Sequence, residues 1–145
     1  MVHSVRMCDS PRLSADAGNS GPNHVVTPTP EAFRLARAEG NDRLRSGGSI
    51  FESFFALDGA AYTSGALPTA TKELLGLVVS VIKDCEECVY YHLERCDEEQ
   101  VSRDQVLETL QITLVGAGSV TVPLLRKAVT FMSKLPRLGR ADHEA

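Results

Sequence analysis

Two helical runs meet across only Lys83-Asp84, and so short a connection turns the chain back on itself as an αα-hairpin. The first run contains Gly76-Leu77-Val78-Val79-Ser80-Val81-Ile82, β-branched enough to pass for a buried strand. Thr71-Lys72-Glu73-Leu74-Leu75 leads into it without a break, so it reads as helix. The second run opens at Asp84, a capping residue with Glu87 at the third helical position. At a rise of about 1.5 Å per residue, Glu73 stands roughly 16 Å before the turn and His92 roughly 12 Å after it. The two should face one another within about a turn.

The remaining signals are helical as well, and an all-α fold of about six helices is expected. Thr29-Pro30-Glu31 supplies a cap, a first-turn proline and a favourable acid for a helix that stops at Gly47-Gly48. Ser49-Ile50-Phe51-Glu52 reads as a capping box opening a second helix, with Phe51, Phe54, Phe55 and Leu57 as its apolar flank before Gly65 and Pro68. The third helix runs from about Thr69 to Ile82. Ser102 with Gln105 caps the fifth, Gly116 and Gly118 break the pattern, and a sixth helix follows from about Thr121 to Leu135. Residues 1–28 are polar and rich in Gly and Pro, and bury too little to offset their ordering entropy, so they read as a flexible tail. A helical domain then occupies 29–135, and 136–145 form a second, shorter tail.

With 145 residues the chain suits one domain. A net charge of −4 and a pI near 5.5 give no general attraction to nucleic acid or an anionic membrane. The longest apolar run, Leu74 to Ile82, is too short to span a bilayer, and the first residues lack a basic and an apolar leader segment, so a cytoplasmic protein is expected. In a reducing compartment four cysteines are not expected to be structural staples.

The chemistry concentrates in Cys85-Glu86-Glu87-Cys88-Val89-Tyr90-Tyr91-His92. Cys85, Cys88 and His92 stand at i, i+3 and i+7 of one helix and share a face, so two thiols one turn apart can close a disulfide beside an imidazole. With Glu73 opposite, a chain of Glu73, His92 and Cys88 results. The carboxylate orients the imidazole and the imidazole deprotonates the thiol, the general form of an activated nucleophile. Cys85, in the first turn, gains from the positive end of the helix dipole. A zinc site is not expected, because Cys85 and His92 are about 10 Å apart along a straight helix. Cys8 and His3 fall in the tail and read as incidental. Cys96 extends the stripe by four residues, where it reads as a small buried hydrophobe.

The stretch from Leu67 to Met132 resembles the alkylhydroperoxidase D-like branch of the carboxymuconolactone decarboxylase superfamily. The matching residues are Glu73, then Cys85-x-x-Cys88-x-x-x-His92, then Glu108 and the small-residue break Gly116-Ala117-Gly118. The resemblance implies an all-α fold, self-association into trimers or hexamers, and reduction of hydroperoxides or partner disulfides without a bound cofactor. It further implies that Cys88 is the peroxidatic thiol, Cys85 the resolving one, His92 the base and Glu73 its partner. Recycling would fall to a dithiol protein of the thioredoxin kind or a lipoyl group.

Some peroxidase members carry a histidine between the cysteines, where this chain has Glu86-Glu87, and two negative charges there oppose thiolate formation. A fast peroxidase is therefore a less secure expectation than a slow thiol-disulfide exchanger. The branch of the superfamily that decarboxylates lactones lacks the cysteine pair, which disfavours that reaction. Tyr90, Tyr91 and the phenylalanines at 51, 54 and 55 read as core or subunit contacts, and Glu108 as a structural acid. The alternative to an enzyme is a helical oligomer that serves as scaffold or redox sensor without turnover.

Overall fold

The computed structural model describes residues 26–140; Cys8, His3 and most of the expected N-terminal tail lie outside them, as do residues 141–145. Six α-helices follow in order: α1 (Pro30–Ser46), α2 (Ser49–Tyr62), α3 (Thr69–Ile82), α4 (Glu86–Glu98), α5 (Arg103–Ala117) and α6 (Val122–Met132), with a 3-10 turn at Ser119–Thr121 before the last. No strand occurs among the described residues, and no helix there is long and apolar enough to cross a membrane.

The α3–α4 hairpin forms as the short connection predicts, but its residues play other parts. Asp84 does not cap α4. It takes a left-handed conformation, φ 53°, and closes α3 instead: its N–H donates to Val81 O and that of Cys85 to Ser80 O, at 3.1 and 3.0 Å. This pair of reversed bonds satisfies the last carbonyls of α3. Cys85 thereby becomes the N-cap of α4, and its carbonyl accepts from Val89 N at 3.0 Å. Gln100 (φ 61°) ends α4 in the same way, with bonds from Gln100 N to Asp97 O and Val101 N to Cys96 O.

The expected Thr29 cap and Ser102–Gln105 capping box are present. The capping box at Ser49 is not. Gly48, with φ 146°, is the N-cap, its carbonyl accepts from Phe51 N, and Ser49 already lies inside α2. Only a glycine tolerates that φ, which moves the helix start back by one residue. The sixth helix is shorter than predicted, because the 3-10 turn that follows Gly118 (φ 82°) takes Thr121 and the helix ends at Met132.

The core is built around α4. Val89, Tyr90, Leu93 and Cys96 point inward against Leu77 and Val81 of α3, Val106 and Leu110 of α5, and Leu124, Ala128, Phe131 and Met132 of α6. Tyr90 stacks on Phe131 with centroids 4.3 Å apart, and Phe33 of α1 meets both rings edge-on at 5.7 Å. The segment after α6 is docked where a free tail from Pro136 was expected. Leu138 is buried, Asp97 Oδ1 accepts from the backbone N–H groups of Arg137 and Leu138, and Arg103 donates to Leu138 O at 2.7 Å. At the other end Lys134 donates to Thr27 O at 2.7 Å, holding the lead-in to α1. Helix α2 contributes no buried residue at all, so its phenylalanines are not core within one chain.

Candidate functional site

Cys85 and Cys88 are joined as a disulfide, with Cα atoms 5.3 Å apart. Cys85 is the N-cap residue of α4 and Cys88 lies in its first turn, so both lie at the helix end where free backbone N–H groups gather. Both are partly exposed. One turn further, His92 is buried, and its Nδ1 lies 2.8 Å from Oε2 of Glu73 in α3, a side chain only 1% exposed. The hairpin has brought residues 73 and 92 together as their distances from the turn predicted. A carboxylate only accepts, so this bond puts a proton on Nδ1 and, in the neutral ring, leaves the lone pair on Nε2.

Three further residues shape the pair, and the motif did not single them out for it. Gly76, one turn after Glu73, makes room for the imidazole: a Cβ there would stand 2.4 Å from Cε1 of His92 and 2.6 Å from the Tyr62 hydroxyl. Tyr62, the last residue of α2, covers the ring, with centroids 5.2 Å apart and planes inclined at 34°. Arg95 donates from Nε to the other oxygen of Glu73 across 3.4 Å. A glycine inside a helix destabilises it by about 1 kcal/mol relative to alanine, which was the available sign that position 76 serves something else.

The two acids between the cysteines are not equivalent. Burial works against the charge of Glu86, but hydrogen bonds from Lys127 of α6 and from the Tyr90 hydroxyl outweigh it and hold the carboxyl below its ordinary value. Lys127 thus neutralises one of the two charges expected to oppose a thiolate, and the exposed Glu87 is left to supply that opposition. Cys96 is fully buried in the core, and desolvation there, followed by the nearby Glu73 carboxylate, pushes its thiol up to about 12. It is a packing residue. Tyr90 lies in the aromatic core, Tyr91 packs under Arg37 with Cζ 3.9 Å from the ring centroid, and Glu108 is exposed on α5. Among the described residues no group of three or more His, Cys, Asp or Glu side chains is arranged to hold a metal.

The helices that carry this site fall within a segment shared with known proteins. The model of the carboxymuconolactone decarboxylase family matches residues 49–130, from the start of α2 nearly to the end of α6. Two crystal structures from Thermotoga maritima superpose with TM-scores of 0.71 and 0.69 at 43% identity, covering 72% of this chain and 93% and 89% of theirs; one is described as a family protein considered for a role in an antioxidative response. A Legionella pneumophila protein of the same family, 23% identical, shares the fold with a TM-score of 0.68 over 74% of this chain and 97% of its own. An uncharacterized protein of Cupriavidus necator is 32% identical over 76 residues, 52% of this chain and 67% of the relative.

Proposed function

The chain belongs to the carboxymuconolactone decarboxylase family, and we propose that it is a dithiol oxidoreductase of the alkylhydroperoxidase D-like kind, reducing hydroperoxides or partner disulfides through Cys85 and Cys88. The observation that carries this reading is the buried Glu73–His92 hydrogen bond of 2.8 Å, one helical turn from a cysteine pair already within disulfide reach. A buried carboxylate-imidazole pair is costly to keep unless it is hydrogen-bonded, and one turn from a thiol on the same helix it supplies the base and orienter of an activated nucleophile.

In the peroxidase direction His92 takes the Cys88 proton at Nε2 while Glu73 holds Nδ1. The thiolate attacks the distal oxygen of the hydroperoxide, the O–O bond breaks, and the departing alkoxide takes a proton from the imidazolium. Cys88 is now a sulfenic acid and one alcohol has left. The Cys85 thiol then attacks that sulfur, forms the disulfide and releases water. A dithiol, thioredoxin-like or lipoyl, supplies the two electrons that restore both thiols. A partner disulfide reacts by the same pair through a mixed disulfide. The description of the Thermotoga maritima relative in connection with an antioxidative response favours the peroxide direction.

Self-association belongs to this proposal. Ile50, Phe54 and Leu57 of α2 and Leu75, Val79 and Ile82 of α3 stand exposed, and Ala61, Tyr62, Leu75, Gly76 and Val79 line one groove between the two helices. A second copy of the chain would cover this surface.

The direct test is stoichiometric. Reduced protein treated with one equivalent of cumene hydroperoxide should yield one alcohol and one Cys85–Cys88 disulfide per chain, and dihydrolipoamide should sustain turnover. Cys85→Ser should stop at a sulfenic acid on Cys88 that dimedone traps. A protein that consumes neither hydroperoxide nor a model disulfide would return the fold to the scaffold or sensor role.

A further inference from the structure

Glu73 has two oxygens and they face different ways. Oε2 is on His92 Nδ1, toward the dithiol; Oε1 is on the Arg95 guanidinium, which lines a pocket of about 470 Å³ together with Tyr62, Thr63, Thr69 and Tyr91. Arg95 follows His92 by three residues and Cys88 by seven, so thiol, imidazole and guanidinium stand in one row along α4 with the carboxylate of α3 across from them.

We propose that Arg95 is the positioning residue of the Glu73–His92 pair, compensating the buried carboxylate from the pocket side so that its other oxygen stays on the imidazole. This deepens the oxidoreductase reading and rests on it for its consequence in rate. Burying a carboxylate is expensive unless a cation or several donors answer it, and one imidazole N–H answers one oxygen only. The 3.4 Å contact is long for a hydrogen bond, so Arg95 acts mainly through its charge. Its other nitrogens pair with Glu98 and, at 3.1 Å, with the α4 C-cap residue Glu99, while Nε is left for Glu73. Lysine could answer one of the three acids as a point charge but could not make the planar fork that meets all three.

Glu73 acts on Tyr62 of α2 and on Tyr91, His92, Arg95 and Cys96 of α4; Asp58 of α2 stands by the two tyrosines, and Glu98 and the C-cap residue Glu99 stand by Arg95. Among the described residues, Arg95 is the one guanidinium ion-paired with Glu73. The competing explanation is that Arg95 merely staples the end of α4 through Glu98 and Glu99, an arrangement that contributes little in an exposed helix.

Nitrogen-15 spectra of the His92 ring separate the two, because they distinguish the protonated from the lone-pair nitrogen without any turnover. In Arg95→Gln the Nδ1 and Nε2 resonances should move, and in Arg95→Lys they should fall between that variant and wild type. Glu98→Gln combined with Glu99→Gln should leave them in place. Dithiol oxidation by cumene hydroperoxide should slow roughly tenfold to a hundredfold in Arg95→Gln, the scale of a misplaced reacting group. Should Arg95→Gln fail to fold, Arg95→Lys is compared directly with wild type and an unmoved Nδ1 resonance overturns the proposal. Unmoved resonances in Arg95→Gln, or equal movement in the Glu98/Glu99 double variant, overturn it too. If the ring responds as expected while the wild-type protein reduces nothing, the oxidoreductase reading fails and the positioning role stands.

Discussion

Gly76 of α3 lies against the imidazole of His92 on α4 so closely that a single added methyl would stand 2.4 Å from Cε1 and 2.8 Å from Nδ1. The glycine and the Glu73–His92 hydrogen bond are therefore one design: the ring reaches the carboxylate because the helix behind it has no side chain there. Ser80, one turn on, donates to Gly76 O at 2.7 Å and keeps that stretch of α3 backbone satisfied.

Gly76→Ala is expected to separate stability from activity. Alanine favours a helix interior over glycine by about 1 kcal/mol, and overpacking a filled space costs about 1–3 kcal/mol. The atoms met are the ends of the His92 and Tyr62 side chains, which can give way. Thermal unfolding should shift only a few degrees, while the rate of dithiol oxidation falls at least tenfold because the imidazole leaves the carboxylate. A variant with wild-type rate would show that the ring position is not critical.

The carboxylate and the imidazole should behave as one unit. A positioned base contributes on the order of a hundredfold or more, so His92→Ala should slow oxidation of the reduced dithiol by about that much, and raising the pH should recover part of the loss as Cys88 ionises unaided. Glu73→Gln keeps the shape and loses the charge that holds Nδ1–H, so it should be slow as well. The double variant should be little worse than His92→Ala. Stopped-flow measurement of the four proteins decides the matter, and strictly additive losses would remove Glu73 from the mechanism.

Cys96 offers a check on burial that does not involve the site. Its thiol is pushed from an ordinary 9.0 up to about 12 by desolvation first and the nearby Glu73 carboxylate second. Above pH 9 the unfolded chain ionises this thiol while the native protein keeps it protonated, so native stability is lost as pH rises from about 9 toward 12. The loss approaches about 1.4 kcal/mol per pH unit. Denaturant unfolding of the oxidised protein should show this slope relative to Cys96→Ala, and parallel curves for the two would mean that the thiol reaches water.

Much of the site was legible because its spacing is local. Positions 85, 88 and 92 share a helix face by arithmetic, and a two-residue connection left residue 73 nowhere to be but opposite. The helix ends were less legible. Asp84 and Gln100 end their helices in left-handed conformations that usually call for glycine or asparagine, so an aspartate that looks like a start is in fact a stop. Tyr62 and Arg95 enter the site through packing between α2, α3 and α4, which no single helical period encodes. The Lys127–Glu86 pair joins residues 41 apart and could not be read from the acidic dipeptide alone.

The exposed flank of α2 is apolar and uncovered within one chain. Phe54 is 63% and Leu57 70% exposed, on a helix that buries nothing, and Leu75 and Val79 of α3 lie exposed beside its C-terminal end. Apolar area removed from water is worth about 25 cal/mol per Å², so a few such side chains covered by a second copy supply several kcal/mol toward association. Sedimentation should give at least two subunits at micromolar concentration, and Phe54→Glu with Leu57→Glu should shift the mass to that of one chain, because two charges would be buried without partners. The Glu73–His92 pair lies on other helices, so the reduced variant should still form the Cys85–Cys88 disulfide with peroxide. Tyr62, however, sits at the end of α2 and covers the His92 ring, so a monomer with a frayed α2 should oxidise more slowly than the assembly. A wild-type protein that sediments as a single chain would leave the apolar flank without an occupant and sink the prediction.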